Sequence, residues 1–496
     1  MIQAKLKVDS ASKIGEVPHE LFSNFVEHIG RAVYGGVYQP EHPTADSDGF
    51  RQDVIELVKE LNVPYVRYPG GNFVSGYNWK NGIGPKENRP TLPDLAWMQM
   101  EPNQVGTDEF VKWCKKIGAE PMMAVNLGTG TPQEAFELLQ YCNGTKGYWA
   151  ELRKKNGHEE PYNIKYWCLG NEMDGEWQIG NKTAEEYAKI AKHAARMMKI
   201  YDPTIKLVFC GSSSFEMPHF PEWERKIITE CFNEIDYISS HRYYQYNKKM
   251  PELKSEFALS CRDFEKGIDT VIGIIKEVKK QKNSDKNIYI SMDEWNVWYQ
   301  GEGTDLTKLW EVGPPREETV HTRLDAAVVA SLIATLINKS AYIKMACMAQ
   351  LVNVIAPVLT DNNGGAIKQS IYYPYMYTSK YANGTAYNVV SECDKVDGGK
   401  HGIVDRLAVA LTLNEKEGML LVCNLAKDAV SVKVDMQDIV GYKAVEMLTS
   451  GTTLENIDDK NTFEQPELVV PEIKALDGGD TFELAPYSWN IIRYAK

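Results

Sequence analysis

The chain has 496 residues, 43% hydrophobic and 25% charged, and its 55 basic against 68 acidic side chains give a formal charge of −13. At roughly 150 residues per domain this allows two to four domains, in a globular chain able to bury a large core. The acidic balance argues against nucleic acid or an anionic membrane as main partner, because both select clustered Lys and Arg.

The first fifteen residues, MIQAKLKVDSASKIG, lack the apolar stretch of a signal peptide, and no run approaches the ~18 apolar residues of a membrane span. Nine cysteines without a CxxC pair lie mostly inside apolar runs such as YWCLG and LVFCG, which predicts buried free thiols and a cytoplasmic location. Ile2, Ala4, Leu6 and Val8 alternate as in a half-buried strand. Eight short apolar runs then follow, at 19–30, 64–71, 120–128, 164–172, 205–213, 235–244, 287–295 and 341–351. Their near-continuous apolar character predicts strands covered on both faces, as in a parallel sheet.

Helical signals separate them. Val54, Leu57, Val58 and Leu61 keep helical spacing, and Gly118 follows WCKKI as a stop. Thr131-Pro132-Gln133-Glu134 and Thr183-Ala184-Glu185-Glu186 are capping boxes, the first with proline at the first helical position. Eight strands alternating with helices favour a closed (β/α)8 barrel over an open doubly wound sheet. After about residue 380 helical periodicity disappears, and LAVALTLNEKEGMLLVCNL and AVSVKVDM read as short alternating strands. The expected organisation is an α/β chain: a barrel over 16–380 and a C-terminal antiparallel β-sandwich over 381–496 that includes the N-terminal strand, 1–15.

Reactive groups in such barrels sit at the C-terminal ends of strands. The polar strand ends here are Glu27 and His28, Arg67 and Asn72, Asn126, Asn171 and Glu172, Ser212, His241 and Tyr243, Glu294 and Gln350. Glu172 and Glu294 each end a strongly apolar strand, where a carboxylate is costly unless paired or functional. On strands four and seven they can face each other across the barrel mouth, which suits glycoside hydrolysis: one protonates the leaving oxygen, the other attacks or activates water. Arg67 can hold Glu294 ionised, Tyr243 can donate to it, and Asn171 can grip a sugar hydroxyl. Trp97 and Trp298, in loops after barrel strands, can each cover a sugar ring, although a loop anchor explains a single Trp as well.

Other signals are weaker. Gly128-Thr129-Gly130 opens a helix, with Gln133 where a dinucleotide fingerprint needs glycine. Gly211-Ser212-Ser213-Ser214 lacks the second glycine of a nucleophile elbow. His28, His241 and His321 lack metal-ligand spacing, so no metal is expected, and two carboxylates need no organic cofactor.

The segments RYPGGNFVSGYNW (67–79), WCLGNEMDG (167–175), DEWNVWY (293–299) and MAQLVNVIAP (348–357) resemble the signature segments of glycoside hydrolase family 51, closest to its intracellular bacterial α-L-arabinofuranosidases. The resemblance implies Glu172 as general acid/base, Glu294 as nucleophile, and Glu27, Asn72, Asn171 and Gln350 as ligands of the arabinofuranose. It places Tyr243 against the nucleophile, Arg67 and His241 in support, and Trp97 and Trp298 at the pocket rim. It further implies a retaining exo-acting enzyme on arabinan- or arabinoxylan-derived oligosaccharides, a jelly-roll-like second domain and a homohexamer. Arg242 stands where the family usually carries Gln, and the loop after Tyr244 is altered, so linkage preference stays open among α-1,2, α-1,3 and α-1,5. A barrel β-xylosidase or endoglucanase, or a non-catalytic carbohydrate-binding protein, are the alternatives.

Overall fold

Eight parallel strands close into a barrel: Ser23–Phe25, Tyr65–Tyr68, Glu120–Val125, Tyr166–Leu169, Lys206–Phe209, Tyr237–Tyr244, Tyr289–Val297 and Ile343–Ala349. The computed structural model describes residues 1–496. Each strand pairs with its sequence neighbour, and the eighth returns to the first through Met348 opposite Asn24. All eight fall inside the apolar runs of the sequence, apart from two residues added to the seventh. The first run is mostly something else: His19–Phe22 is a 3-10 turn, and only three residues pair as strand. An apolar run records burial, and burial alone does not separate a strand from a turn packed under the barrel.

The helices begin and end where their caps dictate. Thr131 and Thr183 accept from the backbone N–H of Glu134 and Glu186, whose carboxylates reach back to the cap N–H groups. Gly118 ends Thr107–Ile117 at φ +79°, a conformation that favours glycine. Helix Arg323–Asn338 is buried on every side except at Asn338. That is why its apolar residues show no stripe: one face meets the barrel and the other meets the second sheet layer.

That layer is a two-sheet sandwich. One sheet has seven strands, with Glu417–Asn424 and Ser488–Ala495 at its centre. The other has four: Val390–Glu392, Ile2–Lys7, Val430–Asp435 and Thr481–Leu484. Leu6, Leu420, Val432, Phe482 and Ile492 fill the space between them. The N-terminal strand does join this sandwich, but it runs parallel to Val430–Asp435, where an antiparallel sheet was expected. No hairpin links strands so distant in sequence, so no tight turn imposes direction on the pair. Arg262 donates to the carbonyls of Asp405 and Leu407, and Asn338 to that of Val409, which pins the sandwich to the barrel. All nine cysteines are free thiols, eight of them buried. No helix is long and apolar enough to cross a membrane.

Candidate active site

A cavity of about 540 Å³ opens at the C-terminal ends of the barrel strands. Of the residues singled out in the sequence, Glu27, Asn72, Trp97, Glu172, Tyr243, Glu294, Trp298 and Gln350 line it. Arg67, Asn171 and His241 lie buried behind the wall. Asn126 and Ser212 do different work. Asn126 accepts from the N–H groups of Gly128, Thr129 and Gly130 and shapes the third loop, while Ser212 is bound to Glu224. His28 is buried, held between Glu101 and Tyr68, and does not line the cavity.

The two glutamates meet. One carboxylate oxygen of Glu172 and one of Glu294 lie within 4.8 Å of each other and of a His241 ring nitrogen. Arg67 Nη1 donates to Glu294 Oε1 at 2.8 Å, and the Tyr243 hydroxyl donates to Oε2 at 2.8 Å. Both oxygens of Glu294 therefore face donors. Tyr244 points away and donates to Asp263. Arg67 Nη2 also donates to Asn171 Oδ1 at 2.6 Å, while Asn171 Nδ2 is a buried donor without a partner. Burial opposes the charge on Arg67, but Asp293 and Glu294 beside it push its pKa well above the ordinary range.

Glu172 sits in a different field. Its carboxyl is raised, first by burial and further by the charge of Glu294, against hydrogen bonds from His241 and Trp177 that favour the ionised form. His241 Nδ1 is 2.9 Å from Glu172 Oε1, and Nε2 is 3.0 Å from Asp293 Oδ1. Burial disfavours the charged ring, yet the charge of Glu294 and the bonds to Asp293 and Glu172 outweigh it and carry His241 well above its usual pKa. His241, Glu172 and Glu294 are the one cluster with metal-ligand proximity; both ring nitrogens of the histidine already face carboxylates. Glu172 also occupies φ +41°, a left-handed backbone that costs a non-glycine residue about 1–3 kcal/mol. The tight turn after the fourth strand thereby aims the carboxyl into the cavity.

Across the cavity, Glu27 accepts from Phe73 N–H and from Trp97 Nε1–H, each at 2.9 Å, and Gln350 Nε2 lies 3.3 Å away. Gln350 Oε1 in turn accepts the Glu27 N–H at 3.0 Å. Burial and the Glu294 charge push the Glu27 carboxyl up to about 8 against those donors. Gly71 makes room for it: a Cβ there would lie 2.3 Å from Glu27 Oε2.

Four contributors escape the sequence reading. Trp177, 54% exposed, donates through Nε1 to Glu172 Oε2 at 2.9 Å. It stands five residues after Glu172 much as Trp298 stands four after Glu294, a spacing that marks it as a rim aromatic in the same way. Glu317 lines the cavity and accepts the Nε1–H of Trp298 at 2.7 Å, and the Arg316 guanidinium lies 5.6 Å from the centre of the Trp97 ring. Nothing in the sequence marks that pair, which lies in a long irregular segment. Asp293 anchors His241 from below and was hidden by its neighbour, the more obvious Glu294.

Residues 57–261 match the family described as α-L-arabinofuranosidase 1 domain, and residues 293–488 match the α-L-arabinofuranosidase C-terminal domain. The chain is 46% identical to an intracellular exo-α-(1→5)-L-arabinofuranosidase of Acetivibrio thermocellus and 44% identical to one of Bacillus subtilis, in each case over the whole of both chains. Among solved structures, AbfB, a family 51 α-L-arabinofuranosidase from Bifidobacterium longum, superposes with a TM-score of 0.94 at 38% identity, covering all of both chains.

Proposed function

Because the chain belongs to glycoside hydrolase family 51, the α-L-arabinofuranosidases, we propose that this cavity removes terminal α-L-arabinofuranosyl residues by double displacement. The observation that carries the reading is the approach of the two carboxylates to within 4.8 Å at one sugar-sized cavity. Such closeness suits direct attack, which uses carboxyl groups ~5–5.5 Å apart, better than the ~6.5–9.5 Å of an inverting enzyme.

Glu294 is the nucleophile: both of its oxygens are oriented by donors, and it attacks the anomeric carbon to form a glycosyl ester. Glu172 is the acid/base. It gives its proton to the leaving oxygen, then takes one from the water that cleaves the ester. His241, tied to Asp293 through Nε2, keeps Nδ1 on Glu172 and so holds the acid in place. Glu27, Asn72 and Gln350 hold ring hydroxyls, the free Nδ2 of Asn171 offers a further bond beside the reacting carbon, and Trp97 and Trp298 close the sides. The proton for the leaving group and the first nucleophile both come from side chains.

The names of the relatives support an exo-acting enzyme that favours α-1,5 links and works inside the cell. The family resemblance supports a homohexamer, which sedimentation should show as six times 56.1 kDa. A panel of nitrophenyl glycosides with NMR of the first-formed sugar tests the reaction. Release from the α-L-arabinofuranoside with retained configuration supports it. Inverted product, or turnover of β-xylosides alone, overturns it.

A further inference from the structure

The order of strands around the barrel divides the cavity wall into two halves. Glu27, Asn72 and Gln350 follow the first, second and eighth strands, which are contiguous in the closed sheet. Glu172 follows the fourth strand, Ser214 and Glu216 follow the fifth, and Arg242 lies on the sixth. The group that departs leaves from the side of its proton donor, so the second half faces the departing sugar.

That half carries a built pair of charges. Arg242, whose side chain is only 6% exposed, donates from Nη2 to Glu216 Oε1 at 2.7 Å and from Nη1 to Ser214 Oγ at 3.2 Å. Its Nε is held by Asp263 at 2.9 Å, and its guanidinium carbon lies 4.7 Å from the centre of the Tyr244 ring. The arginine is therefore fixed on three sides, and it fixes Glu216 at the cavity wall. Glu216 itself is 67% exposed, and its Oε2 has no protein partner. The Arg242 bond lowers its pKa, so it presents a permanent anionic acceptor. The base of the loop is anchored as well: Asp174, two residues past Glu172, accepts from the N–H and hydroxyl of Ser213 and pairs with His219 at 2.8 Å. The loop that presents Glu216 is thus coupled to the turn that presents Glu172.

We infer that Glu216, held by Arg242, is a specificity-determining residue that accepts hydrogen bonds from hydroxyls of the departing sugar and selects a neutral polyhydroxylated leaving group. A uronic acid there would meet like charge beside Glu216 and Asp263. The inference rests on the hydrolytic reading above and assigns its leaving-group side.

The test compares kcat/KM on an α-1,5-linked arabinobiose with kcat/KM on 4-nitrophenyl α-L-arabinofuranoside, whose leaving group has no hydroxyl to donate once bonded. In E216A the ratio of the two should fall about tenfold, the scale of one lost hydrogen bond to a charged group. Arg242→Leu should lower the ratio similarly, and Arg242→Lys, which keeps a charge for Glu216, should recover part of it. A ratio equal to that of the unaltered enzyme, or a parallel fall on both substrates, overturns the inference. Failure of the unaltered enzyme to turn over the nitrophenyl glycoside would instead count against the hydrolytic reading, so the two failures are distinct.

Discussion

At Glu172 burial and the Glu294 charge raise the carboxyl, while His241 and Trp177 pull it down. The balance lies on the raised side, which gives the residue a proton to deliver. The acid must be protonated to act, so kcat/KM is full below its pKa and falls as pH rises through it. Because that pKa is raised, the fall sits at higher pH than an exposed glutamate would produce. Glu172→Ala should lower kcat/KM on arabinobiose about 10²–10⁴-fold, less on the nitrophenyl glycoside, and remove the alkaline limb of the pH profile. His241→Gln deletes a positive partner that lowers Glu172, so the alkaline limb should move to higher pH; a downward move would contradict the account. Glycine 71 shows how a residue without a side chain serves the site. A Cβ there would overlap the Glu27 carboxylate, so Gly71→Ala should raise KM for the arabinofuranoside about tenfold or more while the protein still melts cooperatively.

Among the elements, what was legible in the sequence followed from local rules. Capping boxes at Thr131 and Thr183, the stop at Gly118 and the apolar barrel runs each act through a few neighbouring residues, and the structure shows each in place. Thr183→Ala removes one cap bond of a residue that does not line the cavity and should cost about 1 kcal/mol of stability with kcat unchanged, as thermal melts and steady-state rates will show. What was not legible depends on contacts between distant segments. His19–Phe22 has the composition of a strand, and only its place under the barrel makes it a turn. Glu317 and Arg316 reach the rim tryptophans from a segment without periodicity, and Asp293 acts through His241, fifty-two residues earlier. No spacing rule encodes such meetings. By contrast Glu172, Glu294 and Tyr243 stood at strand ends, where barrel geometry alone makes polar groups converge.

For the whole molecule, the sandwich and the barrel share helix Arg323–Asn338, and the first strand of the chain completes the outer sheet 420 residues and more before its parallel neighbour. Leu6 is fully buried in the sandwich interior. Leu6→Ala should destabilise that layer by about 2–5 kcal/mol, seen as a lowered melting temperature, while the rate at 25 °C stays as it was because no residue of the sandwich lines the cavity. Loss of turnover at 25 °C in this variant would mean that the sandwich supports the site more directly than the packing indicates.

The central claim is that Glu294 becomes covalently bonded to the sugar while Glu172 manages the proton. With Glu172 replaced by alanine, a nitrophenyl arabinofuranoside still carries a leaving group able to depart unaided, whereas breakdown of the ester lacks its base. The intermediate should then accumulate. Mass spectrometry of the digested protein should find one pentosyl adduct, on the peptide that holds Glu294. An adduct on any other residue, or none while the sugar is released with inverted configuration, would contradict the account.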